Sequence, residues 1–562
     1  MNYMIKLRKN KINTPNFILF TILYIYWSVM MMLIKNSKHL AKKSGFKEKL
    51  SHKLEKGLTE GWSGLFYKLV FCKIDESKFA KMYSDKGRPN FPVNILICLD
   101  ILKMLFKLTD EQLIQRFHYD LQFMNALGIQ EINEITLGTR TLYDFRKRLG
   151  NFIADGNGYA IIEIFILLTN NFIEKANIKT DIQRIDSTMI QSNMKELSRT
   201  QLMFDVMSRF VNSLKPQDKK KVPKGTLSLI ENKNIKDLID EIPDKEKRLT
   251  KLATEMYRII LIFQNTDKVQ NQNYQYLHRV FQEQVNIIDD KQLVIKESKD
   301  IASNSLQNPT DEDATFRRKG NKNYKGFAVN IIETANPDNQ VQMITNASIA
   351  PNIQSDKNFL LEDIPELKFR TDLNCLIADS GYHSPETMKL TQQLDIELVI
   401  TNSLGGTESI TDVSEFIIKK EKGIILCPLG NKPIKTKYLP KNDTYVAWFE
   451  KSTCNTCSRR EQCLIKEQKK NMTIRFTKKR YDNDKLRKEQ KTSEYKNKAK
   501  LRPAIEGTIS ALKRGYGLNQ MKVRKLEKLE YNTLLKIIAY NFNQLIKIEN
   551  SNKDNGFVLF EI

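Results

Sequence analysis

The chain reads as a mixed α/β protein with an all-α N-terminal region and two insertions. Two short apolar runs, Ile182–Ile190 (IQRIDSTMI) and Cys375–Tyr382 (CLIADSGY), each carry an Asp followed by small or turn-forming residues. Each therefore reads as a buried strand with a carboxylate at its tip. From Gly326 onward, strand and helix patterns alternate. Elsewhere, apolar residues recur at helical spacing. At 562 residues, with 41% hydrophobic content, the chain is long enough for more than one packed core.

Taking the chain in order, Phe17–Ile34 is an uncharged run of 18 residues flanked by Lys6, Arg8, Lys9 and Lys11 before it and by Lys35 and Lys38 after it. That meets the minimum length of a membrane span, and no small-residue cleavage site follows it. A start of translation at Met30, Met31 or Met32 is the reading adopted for residues 1–40. A membrane anchor through residues 17–34 and a packed helix are the alternatives. Residues 46–175 read as a helical domain. Pro92 opens an apolar helix, and Thr109 with Gln112 forms a capping-box start for a helix from Glu111 to about Leu127. Thr141–Leu149 (TLYDFRKRL) follows, carrying Arg146, Lys147 and Arg148. Three short helices with a basic last one resemble a helix-turn-helix; an all-α packing domain that never touches DNA is the other reading.

Residues 151–180 read as one apolar helix leading to the strand of Asp186. Residues 193–308 are helical and highly charged, the pattern of an insertion between strands. Gly326–Thr334 and Val341–Ala350 flank a Pro337-Asp338-Asn339 turn and predict a hairpin. Just before it, Arg317, Arg318, Lys319, Gly320, Lys322, Tyr324 and Lys325 interleave cations with an aromatic ring. That mixture can lie along a phosphate backbone, and an exposed loop is the competing reading. Helix Ser355–Leu367, a helix from Pro385 and strand Glu397–Thr401 follow. Residues 403–470 break the alternation, and Tyr481 to about Ile548 returns to helix.

Lys and Arg number 91 against 66 Asp and Glu, a formal charge of +25, which points to a polyanionic partner, most simply nucleic acid. A skewed coding composition rich in Lys, Asn and Ile would also raise that number. Seven cysteines without a clear secretory signal argue for thiols in a reducing compartment. Four of them, Cys427, Cys454, Cys457 and Cys463, have a C-x₂-C core with a close third and a distant fourth thiol, a set suited to structural Zn²⁺.

In Leu501–Tyr516 (LRPAIEGTISALKRGY), a helical reading sets Arg502, Glu506 and Lys513 along one side, with Ile505, Ile509 and Leu512 facing a core. Asp186, Asp379 and Glu506 then supply three carboxylates, a recipe for holding two Mg²⁺ or Mn²⁺ ions.

This order of motifs resembles the DDE insertion-sequence transposases, in the branch with a Tyr-Arg-Glu-Lys signature around its last acid. The resemblance covers about residues 60–545. It implies a ribonuclease H-like catalytic domain at 180–402 and 471–548, interrupted by the helical insertion at 193–308 and a Cys-rich insertion at 403–470. It further implies Asp186, Asp379 and Glu506 as catalytic metal-binding acids, with Arg502 and Lys513 on DNA phosphates. The implied activity is cleavage of element ends and their joining to target DNA, by a homodimer in the cytoplasm at the nucleoid. A metal-dependent nuclease of the same fold, or an inactive DNA-binding derivative, are the alternatives. The signature Tyr is missing: Ala499 stands in its place, and Tyr495 lies one turn earlier. Pro503 either starts a new helix or kinks the old one.

Overall fold

The computed structural model describes residues 33–36, 45–83, 89–132, 134–231, 235–288, 292–401, 412–419 and 422–551. Of the hydrophobic stretch Phe17–Ile34, all but the last two residues lie outside that set. Among the described residues no single helix is long and apolar enough to cross a membrane. The fold is mixed α/β. Its strands are β1 (Ile182–Ile190), β2 (Val285–Ile288), β3 (Gln292–Ile295), β4 (Thr315–Lys319), β5 (Lys322–Thr334), β6 (Ile344–Pro351), β7 (Cys375–Asp379), β8 (Glu397–Thr401), β9 (Ile417–Lys419), β10 (Gly423–Leu426), β11 (Lys435–Leu439), β12 (Thr444–Phe449), β13 (Lys466–Glu467) and β14 (Met472–Thr477). The largest sheet has the order β4-β5-β1-β7-β8, with β6 also paired to β5. The chain divides into two compact units: residues 1–179, 187–363 and 506–562 form the first, and 180–186 with 364–505 form the second.

In the first unit, the helix Val93–Phe106 starts at Pro92 and is buried nearly all round. The capping box at Thr109 forms as the sequence predicts, but its helix stops at Tyr119. Asp120 ends it by accepting hydrogen bonds from the backbone N–H groups of Gln122 and Phe123, which starts a separate helix, Leu121–Ala126. The predicted apolar helix 151–180 is also interrupted. Gly156 takes a left-handed φ of 91°, and only Tyr159–Lys175 is a regular α-helix. The last helix, Leu526–Ser551, packs Phe542 edge-on against Phe66 at 5.4 Å. Its Asn541 amide bonds both backbone groups of Ile344, at 2.9 and 2.7 Å, and so holds the first residue of β6.

The basic segment before the predicted hairpin is itself a hairpin. β4 pairs antiparallel with the first part of β5, and Gly320 turns the chain at φ 59°. The rest of β5 pairs with β6. Residues 193–308 are helical as predicted, around a core of Phe210, Met256, Phe263 and Leu277, and they also carry the small β2–β3 hairpin.

The second unit contains the parallel trio β1-β7-β8. It also holds a four-stranded antiparallel sheet, β11-β12-β14-β13, over a core of Tyr445, Phe449, Ile474 and Phe476. β14 pairs with both β12 and β13, so this sheet extends to Thr477.

The basic helix observed at Thr139–Phe152 splits its cations by facing. Arg146 turns inward and bonds Asp100 at 2.5 Å and Asp110 at 2.9 Å. Tyr531 donates its hydroxyl to the other oxygen of Asp100 at 3.0 Å. Burial alone would lower the pKa of this guanidinium, but the two carboxylates more than offset it and hold it above its ordinary value. Arg146 therefore ties three helices together. Arg146→Ala should lower unfolding stability by about 3 kcal/mol, because Asp100 is left as a buried charge; the denaturant midpoint measures it, and an unshifted midpoint would refute the assignment.

Candidate functional site

Asp186 and Asp379 are brought together by strand register. β1 and β7 run parallel with Ile182 beside Cys375 and Arg184 beside Ile377. Carrying that register on by two residues sets Asp186 beside Asp379. Asp379 ends β7 as the sequence predicts, whereas Asp186 is the middle residue of β1, which continues to Ile190, and is not at a strand tip. Asp379 also accepts a hydrogen bond from the Gly381 N–H at 2.8 Å, which folds the following residues into a tight turn.

Arg502 bridges the two acids. Its Nη2 lies 3.0 Å from Asp186 and 3.7 Å from Asp379, with side-chain exposures of 12%, 15% and 29% for Arg502, Asp186 and Asp379. The expectation that Arg502 shares one helix with Glu506 and Lys513 is not met. Helix Ser493–Ala499 ends before Arg502, and a new helix, Ala504–Gly515, begins after Pro503. Proline cannot donate a backbone hydrogen bond and disfavours helical geometry in the residue before it, so Arg502 sits in the intervening turn. Arg184, on the same face of β1 as Asp186, holds that turn by donating to the Leu501 carbonyl at 2.7 Å.

Glu506 is exposed in the first turn of Ala504–Gly515 and lines an open depression of about 360 Å³ together with Lys513. The helix is anchored as the sequence predicts, through buried Ile505, Ile509 and Leu512. A further anchor comes from far away in the chain: Thr508 donates to the buried carboxylate of Glu333 at 2.8 Å. Tyr495, one turn before the signature position, is engaged with backbone. Its hydroxyl accepts from the Ile400 N–H at 2.6 Å and donates to the Ile400 carbonyl at 3.0 Å, and burial pushes its pKa up to about 12. It pins helix Ser493–Ala499 onto β8. His383 is half-buried, and burial lowers its pKa. Asp363 carries no signal in the sequence. It accepts from Ser348 and Asn330, and burial pushes its carboxyl up to about 6.

Of the remaining cations named from sequence, Arg317 is spent on the carbonyls of Asn352 and Gln354, each at 3.1 Å. Arg318 and Lys319 are exposed at the tip of the β4–β5 hairpin. Lys147 is exposed, and Arg148 lies over the Tyr83 ring at 5.3 Å.

Cys427, Cys454, Cys457 and Cys463 line one cavity of about 250 Å³, all as free thiols. Burial raises the pKa of Cys454 and Cys463, and their neighbouring thiols raise them further. Among the described residues, no group of three or more His, Cys, Asp or Glu side chains is arranged to hold a metal ion. The donor chemistry is nonetheless suited. Asp186 and Asp379 already share one cation, the Arg502 guanidinium, and hard carboxylate oxygens are what Mg²⁺ takes.

Two family models match the chain. One, described as a transposase DDE domain, covers residues 426–546, and the other, described as a transposase domain (DUF772), covers residues 61–148. Both define the same class, a transposase. Together they support an insertion-sequence DDE transposase. The first match includes the four cysteines, Arg502, Glu506 and Lys513, and leaves Asp186 and Asp379 outside it. No curated protein and no solved structure matches the chain.

The shared guanidinium makes a prediction of its own. Arg502→Ala should cost about 2 kcal/mol in metal-free buffer, because two part-buried carboxylates lose their common cation. Mn²⁺ should then raise the melting temperature of the variant by more than that of the wild type. Equal shifts in the two proteins would show that Arg502 and the metal do not compete.

Proposed function

We propose that this protein is a DNA transposase that cleaves the ends of its element and joins them to target DNA by divalent-metal-dependent phosphoryl transfer. The observation that carries the reading is the convergence of Asp186 and Asp379, from neighbouring parallel strands, on one cationic group. The sheet order, with parallel β1, β7 and β8 and the antiparallel β5–β6 pair, supports a ribonuclease H-like core.

In this reading Asp186, Asp379 and Glu506 are the metal-binding acids. Bound Mg²⁺ or Mn²⁺ would supply an activated water or 3′-hydroxyl and neutralise charge on the leaving oxygen. Arg502 holds the two aspartates together, and its guanidinium is the group that would grip a phosphate oxygen in a fork. Lys513, Arg318, Lys319, Lys147 and Arg148 contribute further phosphate contacts, the last two from a helix-turn-helix-like region. Arg146 and Arg317, bound to their own neighbours, act by positioning. A homodimer engages the two element ends, in the cytoplasm at the nucleoid.

Asp186→Ala and Glu506→Ala should each abolish Mg²⁺-dependent cleavage while DNA binding persists. Gel analysis of a labelled element end measures both properties, and normal cutting by either variant would show the acids misassigned. Appearance of joined products in the same assay separates a transposase from a nuclease of the same fold.

The four thiols at Cys427, Cys454, Cys457 and Cys463 are proposed to hold a structural zinc. Tetrahedral thiolate ligation would staple a module whose own core is small. Cys454→Ser should release one equivalent of zinc to a chromophoric chelator and destabilise residues 415–470. Zinc content identical to wild type would count against the site.

A further inference from the structure

A cavity of about 740 Å³ in the first unit is lined by helices Val93–Phe106 and Thr139–Phe152, the segment 514–523 and the last helix. That volume is in the range of sites that take nucleotide-sized ligands. Its charge is heavily one-sided. Lys107, Lys147, Arg514, Lys522, Lys528 and Lys536 line it, and the only carboxylates among its lining residues are Asp100 and Asp110. Both acids are already answered, Asp100 by Arg146 and Tyr531, and Asp110 by Arg146 and Lys103.

Lys107, Lys147, Lys522 and Lys528 are in no ion pair among the described residues. Lys536 is buried and donates to the Tyr516 carbonyl; burial, Lys522 and Lys103 together lower its pKa to about 8. Cations are therefore crowded here without counter-charge, which costs stability unless an anion enters. The stem of Lys528 crosses Gly150 so closely that a Cβ there would stand 2.7 Å from its Cε. The glycine thus gives this lysine its path over the helix. Tyr143, 49% exposed and one helical turn before Lys147, brings an aromatic face to the same cavity.

We infer that this cavity is a binding site for the phosphodiester backbone of DNA, in which Lys147, Lys522 and Lys528 neutralise phosphates. The inference rests on the transposase reading for the identity of its polyanion, and it adds a contact surface remote in sequence from the β4–β5 hairpin and distinct from the aspartate pair.

The test uses the full chain and a fluorescein-labelled random-sequence duplex, with anisotropy read across a potassium chloride series. Lys147→Gln and Lys522→Gln should each lower the salt slope by about one unit, and the double variant by about two. The affinity of the double variant at moderate salt should fall at least tenfold, with the melting temperature unchanged. Lys251→Gln, on an exposed face of helix Lys245–Phe263, serves as the charge-matched control and should bind as wild type does. If the double variant matches Lys251→Gln in affinity and slope, the site is refuted. That failure is distinguishable from failure of the catalytic reading. An Asp186-dependent cleavage that survives alongside unchanged binding condemns the cavity alone. Weakened binding by the lysine variants, with Asp186→Ala still cutting normally, supports the cavity and condemns the catalytic assignment.

Discussion

Two carboxylates side by side on adjacent strands repel each other, and the geometry of the second unit is arranged around offsetting that repulsion. Parallel register sets Asp186 and Asp379 side by side, and Arg502 stands within ion-pair distance of both. Several unrelated features serve this one contact. Pro503 stops the helix from swallowing Arg502, Arg184 holds the resulting turn by its carbonyl, and Tyr495 fixes the preceding helix on β8. Low exposure of all three charged groups makes the interaction stronger than a surface ion pair of the same length.

What the sequence revealed and what it hid follow from the range of the forces involved. The capping box at Thr109 was legible because its partners lie three residues apart, and local chemistry fixes it. The tip of β7 was legible because a buried strand tolerates a carboxylate where it reaches the rim of the sheet, so Asp379 closing an apolar run marks that end. The same reading failed for Asp186, because β1 runs on for four residues to Ile190. The position of Arg502 was not: helical periodicity carried through Pro503 suggests one continuous face, and only the proline's effect on its neighbour breaks it. Glu333 and Asp363 were hidden for another reason. Glu333 is paired with Thr508, 175 positions away, and Asp363 depends on two different strands, so no window of sequence contains either relationship.

The basic helix Thr139–Phe152 shows how composition misleads when facing is ignored. Three consecutive cations look equivalent in sequence, yet a turn of about 100° per residue sends them to different surroundings. Arg146 is consumed by one buried and one part-buried acid, Arg148 rests on an aromatic ring, and Lys147 alone meets the cavity as a cation without a carboxylate partner. The same sorting applies to the hairpin, where Arg317 is internal and Arg318 and Lys319 are exposed. A net charge of +25 therefore overstates the cationic surface offered to a partner, and the distribution of the unpaired lysines matters more than their sum.

The ion pair that joins Arg502 to Asp186 spans 316 positions. A ribosome making this chain releases both aspartates long before their arginine exists, so the nascent strands wait with unrelieved negative charge while the polypeptide between is assembled. Prematurely terminated products lack the arginine altogether. The molecule thus acquires its paired acids only late in its own synthesis, and incomplete copies are barred from assembling the same centre.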